Sequence, residues 1–262
     1  MECRPRFSPS VELSYPPAIF MWACIIIAAL LASPVHAAGQ CIAYPLTAVS
    51  RKIDIRTGSI LEALVDFGQT NSVCFGIEVM DDRLSTTGVT WHAAAPFRDL
   101  LESALSHAGG YRVEARGRVV SIAPAQTAVP TWLDARVPDF STTRRADVQS
   151  LANLLFMDLR LVENPRLGGF VGDSLGGDPR DRIGPLGEHD RTVRHLLDLI
   201  VGSSKGGLWI TVGPYNRERA LSTQPFWSVL EYSEPLPTNL SRIRTTLREI
   251  QSAFGSPQRR HY

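Results

Sequence analysis

The chain has 262 residues, of which 44% are hydrophobic and 20% are charged, so it can form a packed core and does not have the composition of a disordered chain. Its formal net charge of +1 favours neither a nucleic-acid-binding surface nor a strongly acidic shell, and we expect no nucleic-acid partner. This length allows one large domain or two small ones.

Residues 1–37 have the pattern of a secretory signal peptide. Arg4 and Arg6 precede an apolar run from Ala18 to Ala32, which is shorter than the ~20 residues of a membrane-spanning helix. Small residues before a cleavage site after Ala37 complete the pattern. We expect an exported protein whose mature chain has no integral membrane span. Retention of the segment as a signal anchor is the alternative.

Two cysteines, Cys41 and Cys74, remain after this cleavage. In an oxidising compartment such a pair can form one disulfide, which would join the segment before the first predicted strand to the second strand. Two free thiols, with Cys74 simply buried in its strand, are the alternative.

Residues 45–125 alternate between strand and helix patterns. A strand ends at Ile55, and two further strands are predicted at Val73–Val79 and Thr87–Trp91. Helices before and after this strand pair carry apolar residues on one face, and Gly109-Gly110 ends the second helix before a closing hairpin. The two apolar faces comprise Ile60, Leu61, Ala63, Leu64 and Phe67, and Phe97, Leu100, Leu101, Ala104 and Leu105.

Residues 131–234 follow a similar plan, which predicts an internal repeat. A helix over 144–156 is followed by the alternating stretch Met157–Val162, which predicts a strand, and by a second helix that Asp190 can cap. Gly206-Gly207 ends that helix before another hairpin. The segment 163–188 is rich in Gly, Pro, Asp and Arg and interrupts the repeat as a long loop.

The C-terminal segment 238–254 predicts an amphipathic helix. Its apolar residues recur at spacings of three and four: Leu240, Ile243, Leu247, Ile250 and Phe254. The helix either packs on its own domain or serves as a docking helix or short coiled coil.

The first half resembles the secretin and TonB N-terminal short domain family. The stretches that carry the resemblance are "IDIRTGSILEALVDFGQT", "TTGVTWHAAAPFRDLLESAL" and "GGYRVEARGRVVSIAP". The matching motif positions are Gly58, Leu61, Ala63, Leu64, Gly88, Leu100, Leu101, Gly109 and Gly110. The second half resembles the same plan more loosely.

The resemblance implies an α+β fold of two small β-α-β-β-α-β-type modules, 45–125 and 131–234, to which the apolar pattern adds the helix 238–254. It also implies a periplasmic protein that binds another protein, or itself, near an outer-membrane secretion complex or TonB-type receptor. It does not imply pore formation or transport, because we expect neither a secretin pore domain nor a TonB-dependent β-barrel in a sequence of this length. We therefore expect no catalytic residue, no cofactor and no metal.

One stretch points to a different class of protein. Gly169–Gly177 reads "GFVGDSLGG", similar to the nucleophile block of GDSL hydrolases, with Ser174 as the nucleophile. A serine nucleophile needs a base and a group that orients the base, and the downstream Gly-x-Asn-Asp and Asp-x-x-His blocks of that family are absent from the sequence. A periplasmic ligand-binding or GDSL-like protein that uses the 163–188 loop remains the alternative.

Overall fold

The computed structural model describes residues 41–48, 55–91, 95–126, 131–163, 182–212, 226–232 and 235–255. They belong to one compact unit, Gly39–Tyr262. The α+β fold class expected from the sequence is confirmed. The segments 1–37 and 164–181, which include the predicted signal peptide and most of the long loop, lie outside the described residues.

Nine strands and six α-helices are found in the described part of the chain. The strands are β1 (Ile55–Thr57), β2 (Cys74–Val79), β3 (Val89–Trp91), β4 (Tyr111–Arg116), β5 (Val119–Pro124), β6 (Arg136–Ser141), β7 (Gly187–Thr192), β8 (Gly207–Val212) and β9 (Phe226–Glu231). The helices are α1 (Ile60–Asn71), α2 (Arg83–Thr86), α3 (Phe97–Ala108), α4 (Val148–Glu163), α5 (Val193–Gly202) and α6 (Leu236–Gly255), with a 3₁₀ turn at Trp132–Asp134.

The central sheet has five strands in the order β4-β5-β2-β8-β9. The three inner strands run parallel, and each outer strand is antiparallel to its neighbour. Two small antiparallel ribbons, β1-β3 and β6-β7, lie outside this sheet. Strands from both predicted modules therefore contribute to one sheet, with β2 of the first half at its centre.

The two faces of the central sheet belong to two hydrophobic clusters. One cluster joins Phe75 and Ile77 of β2 to apolar residues of α1, α3 and α6. The other joins Cys74 and Trp209 to apolar residues of α4 and α5. Because side chains alternate along a strand, β2 contributes to both clusters.

The two halves of the described chain share part of their element order. In the first half β1 pairs with β3 around α1, and α3 precedes the β4-β5 hairpin. In the second half β6 pairs with β7 around α4, and α5 precedes the β8-β9 hairpin. The described residues of the second half contain no strand in the place that β2 takes in the first. Instead, β8, the first strand of the second hairpin, pairs with β2 of the first half.

Two sequence predictions in the second half were wrong in detail. The stretch Met157–Val162 belongs to α4 and is not a strand. The helical stripe of α4 extends through it, because Leu159 is buried with Leu155, whereas Met157 is exposed. The helix after β7 is capped by Thr192, whose hydroxyl accepts a hydrogen bond from the His195 N–H at 3.2 Å.

Asp190, the predicted cap, lies instead within β7, where its carboxylate contacts Arg136 at 2.6 Å.

The C-terminal helix packs on its own chain. Ile243, Leu247 and Ile250 of α6 are buried in the same cluster as the apolar face of α1. The Arg244 guanidinium also donates to the buried Glu62 carboxylate of α1 at 2.6 Å. The sequence left open whether this helix packs on its own domain or docks elsewhere, and in the structure it packs within the chain. No helix in the described ranges is long and apolar enough to cross a membrane.

Candidate functional site

The structure joins Cys41 and Cys74 in a disulfide whose Cα atoms are 5.8 Å apart. Both cysteines are buried against α4 and α5. The bond ties the segment that precedes β1 to the first residue of the central strand β2, as the sequence had suggested. Its place in the core indicates a structural role.

The motif positions of the first half lie at structural points of the fold. Leu61, Ala63, Leu64, Leu100 and Leu101 are all in the core, with Leu100 at its margin. Ser59 caps α1, and the preceding Gly58 donates its N–H to Glu62 at 3.1 Å. A Cβ at Gly88 would lie in ordinary contact with the Thr57 carbonyl oxygen of β1, at 3.6 Å, whereas Gly109 and Gly110 follow α3 with positive φ values of 66° and 73°. These residues shape the module and do not converge on a reactive group.

Ser174 and the rest of the GDSL-like stretch, Gly169–Gly177, lie outside the described residues. Within the described ranges, no group of three or more His, Cys, Asp or Glu side chains could hold a metal ion.

The first candidate for function is the outer edge of β4. β4 ends one side of the central sheet and pairs only with β5 among the described strands. Its side chains are half-buried or exposed along the whole strand. The opposite edge strand, β9, is different, since Trp227, Val229 and Leu230 are buried. β4 is therefore the more accessible of the two edges.

The hairpin register determines which backbone groups of β4 point outward. Ala125 donates its N–H to the Gly110 carbonyl at 2.6 Å, and in an antiparallel ladder every second pair is hydrogen-bonded. By the register, Arg112, Glu114 and Arg116 then bond to β5. The backbone N–H and C=O groups of Tyr111, Val113 and Ala115 accordingly point away from β5, in the direction an added strand would occupy.

The second candidate is a cluster of charged side chains supplied by α5, by the strands β2 and β4 and by the 3₁₀ turn. Glu78 of the central strand β2 is only 1% exposed, and the Arg194 guanidinium donates to it at 2.8 and 3.2 Å. Arg194 also pairs with Asp134 of the 3₁₀ turn. Burial alone would lower the pKa of Arg194, but these two carboxylates raise it. The guanidinium therefore stays charged and is held between them.

Asp198, one turn further along α5, is the other buried carboxylate of this cluster. Its side chain is 11% exposed and lies 3.3 Å from the Nε of Arg116, at the end of β4. The Trp209 indole donates to Asp198 at 2.8 Å. Burial raises the pKa of Asp198 to about 6, although the charge of Arg116 and the indole hydrogen bond oppose this shift. Asp198 can thus change its protonation near neutral pH.

A glycine makes room for the indole that contacts Asp198. Gly76 of β2 lies beside Trp209 of β8 in the parallel ladder. A Cβ at Gly76 would lie 2.6 Å from the indole ring, which is closer than carbon atoms can approach. The absence of a side chain at position 76 therefore sets the position of the indole N–H.

Arg116, Arg194 and Asp198 border a cavity of about 660 Å³ between α5 and the β4-β5 turn. Its wall includes Arg116, Gly117 and Arg118 of the turn, and α5 residues that include Arg194, His195, Asp198 and Leu199. The cavity has the size of a small-molecule site, with a few convergent polar groups in its wall.

This cluster was not predicted from the sequence, although two signals for it are present there. Glu78 is a charged residue within the otherwise apolar strand "VCFGIEV", and Asp198 stands among the apolar residues of α5. A buried carboxylate requires a partner. The identity of that partner depends on contacts between segments far apart in the chain, which local patterns do not contain.

Comparison with known proteins adds no relative to these observations: no family model, no curated protein and no solved structure matches the chain.

Proposed function

We propose that this chain is an exported, periplasmic protein–protein interaction module of the secretin and TonB short-domain type, and that it is not an enzyme. The observation that carries the proposal is the accessible edge of β4. Three residues there present outward-pointing backbone N–H and C=O groups. An extended segment of a partner protein can add to such an edge as a further strand, with main-chain hydrogen bonds supplying affinity.

The side chains of β4 favour a selective partner. Arg112 is exposed, Glu114 is half-buried, and both alternate with apolar Val113 and Tyr111, which pack against the core. Charged side chains on an edge strand discourage pairing with arbitrary strands. A matching partner strand would therefore carry charges complementary to Arg112 and Glu114. We propose another protein of the outer-membrane secretion or receptor complex as the source of this strand.

Site-specific photo-cross-linking in the native host tests this proposal. A photoreactive side chain at position 112 of β4 is expected to cross-link to a single partner protein, which mass spectrometry identifies. The matched control is the same side chain at position 191, which is exposed on the β6-β7 ribbon. Equal products from both positions, or none from position 112, would contradict a β4 binding site. A cross-linked homodimer would instead make the edge a self-association surface.

Export is tested separately from binding. The protein is expressed from its full gene, recovered from the periplasm and sequenced from its N-terminus. We expect a mature chain that begins after Ala37. Recovery from the cytoplasm with the first 37 residues intact would contradict the export part of the proposal.

A further inference from the structure

The cavity beside α5 is separate from the outward-pointing backbone groups of β4 and has its own chemistry. Three arginines, Arg116, Arg118 and Arg194, and His195 border it, whereas Asp198 is the one carboxylate among the lining residues. Arginine recognises carboxylates well, because its planar guanidinium donates two parallel hydrogen bonds. The question is which of these charges an entering anion could engage.

The contacts of Arg194 hold its charge within the protein. Glu78 and Asp134 both accept hydrogen bonds from its guanidinium, and Glu78 is buried. An anion would gain little from a cation that two carboxylates already balance. Arg194 therefore forms a fixed wall of the cavity.

Arg116 differs, because the charge of its ion-pair partner Asp198 depends on pH. Its Nε lies 3.3 Å from Asp198, and its terminal nitrogen donates to Ser121. Glu114 is also near, at 3.9 Å, but its side chain is 44% exposed and solvent screens it. When Asp198 takes up a proton, Arg116 loses its buried counter-charge, and the cluster gains one unit of positive charge.

We propose that this cavity binds a small organic monocarboxylate through Arg116, and that binding is coupled to the uptake of one proton by Asp198. The gain of a single positive charge fits a monoanion better than a phosphate dianion. Leu199 and Gly202 add apolar wall for the organic part of the ligand. The raised pKa of Asp198, about 6, places this coupling in an accessible pH range.

His195 also borders the cavity. It lies on the exposed side of α5, and its Nε2 is 3.9 Å from Glu188 of β7. An imidazole N–H of His195 could also donate a hydrogen bond to an entering anion. A test of the proposal must therefore separate His195 from Asp198.

Isothermal titration calorimetry on the folded mature chain provides this test, with benzoate and hexanoate as probes. Benzyl alcohol serves as an uncharged control and inorganic phosphate as a dianion control. If only protein with a protonated Asp198 binds, the affinity falls tenfold for each pH unit above the pKa of Asp198 in the ligand-free protein. Benzoate should therefore bind about 30-fold more weakly at pH 7.5 than at pH 5. Titrations in buffers of different ionisation enthalpy should show uptake of close to one proton at pH 7.5.

Three variants assign the roles. Asp198→Asn keeps an oxygen that can accept from the Trp209 indole, and it should bind benzoate equally at both pH values. Arg116→Gln should weaken binding at pH 5 about tenfold or more, in line with the loss of a charged hydrogen-bonding partner. His195→Gln should leave the pH dependence unchanged. Circular dichroism confirms that each variant is folded.

Four results would overturn the proposal. They are absence of binding of both carboxylates at pH 5, equal binding of benzyl alcohol, tighter binding of phosphate, and loss of the pH dependence in His195→Gln instead of Asp198→Asn. Because these experiments use no partner protein, their outcome is independent of the role proposed for the β4 edge.

Discussion

At the scale of single residues, Gly76 shows how a local choice determines distant chemistry. The residue has no side chain, so the Trp209 indole can lie over β2 and donate to Asp198. We expect Gly76→Ala to lower the free energy of unfolding by about 1–3 kcal/mol, as overpacking of a core commonly does. Urea denaturation followed by tryptophan fluorescence measures the change.

The matched control for this variant is Gly187→Ala. No atom lies within 4 Å of a Cβ placed at Gly187, so this change should leave stability nearly unaltered. Equal stability of Gly76→Ala and the wild type would show that the indole is not confined as described.

Asp198 should also make the stability of the protein depend on pH. Burial raises its pKa to about 6 from 3.8, so the folded state holds this proton more tightly than the unfolded chain does. This contribution is fully present below about pH 4 and is lost as the pH rises through 6. A difference of two pKa units corresponds to about 3 kcal/mol.

The measurement is the free energy of unfolding of the wild type and of Asp198→Asn from pH 4 to pH 7.5. Relative to the variant, the wild type should lose stability over this range. Parallel profiles for the two proteins would contradict the shifted pKa. Comparison with the variant removes the contributions of the other carboxylates, which both proteins share.

At the scale of elements, the disulfide joins two parts of the fold that local structure does not connect. Cys41 and Cys74 are separated by 33 positions in the sequence, and the bond closes that loop. Removal of such a cross-link typically costs about 2–4 kcal/mol, mainly because the unfolded chain gains freedom. We expect the double variant Cys41→Ala, Cys74→Ala to lose stability by this amount while it keeps its far-ultraviolet circular dichroism.

Thiol titration of the denatured, unreduced protein provides the direct check on this bond. It should find no reactive thiol at Cys41 or Cys74 in protein recovered from an oxidising compartment. Two reactive thiols in that protein would contradict the disulfide.

The element α4 shows where sequence patterns mislead. Met157–Val162 alternates in a way that fits a strand, yet the apolar spacing from Val148 to Leu155 continues to Leu159 with the helical period. The longer helical pattern determines the structure, because each further turn buries another apolar residue. By contrast, β2, α3 and the hairpin β4-β5 were predicted nearly at their observed bounds, since glycines and short loops delimit them.

At the scale of the whole molecule, the central sheet depends on both halves of the chain. β2 pairs with β5 of its own half and with β8 of the second half. This pairing could not be predicted from the sequence, because the partner strands lie far apart in the chain and the pattern of each strand is compatible with several neighbours. The same applies to Glu78 and Arg194, whose contact exists only once β2 and α5 have met.

A fragment that ends at residue 126 tests this dependence. Residues 41–126 alone would expose one edge of β2 and the apolar face that Trp209 and α5 cover. We expect the fragment to aggregate or to lose near-ultraviolet circular dichroism, whereas residues 41–262 form a cooperative unit. A monomeric, cooperatively folded fragment would instead identify the first half as an independent module of the kind that its family resemblance implies.

The addition of a partner strand to β4 can be tested with one substitution in that strand. Ala115 is exposed, and its N–H points away from β5, so proline at this position removes an outward donor without breaking the hairpin ladder. Threonine at the same position keeps that donor and serves as the matched control. We would measure the affinity of both variants for the protein that cross-links to position 112. We expect wild-type affinity for Ala115→Thr and about tenfold or weaker binding for Ala115→Pro, the loss expected from one hydrogen bond and the added ring. Equal affinity of two well-folded variants would contradict strand addition at β4.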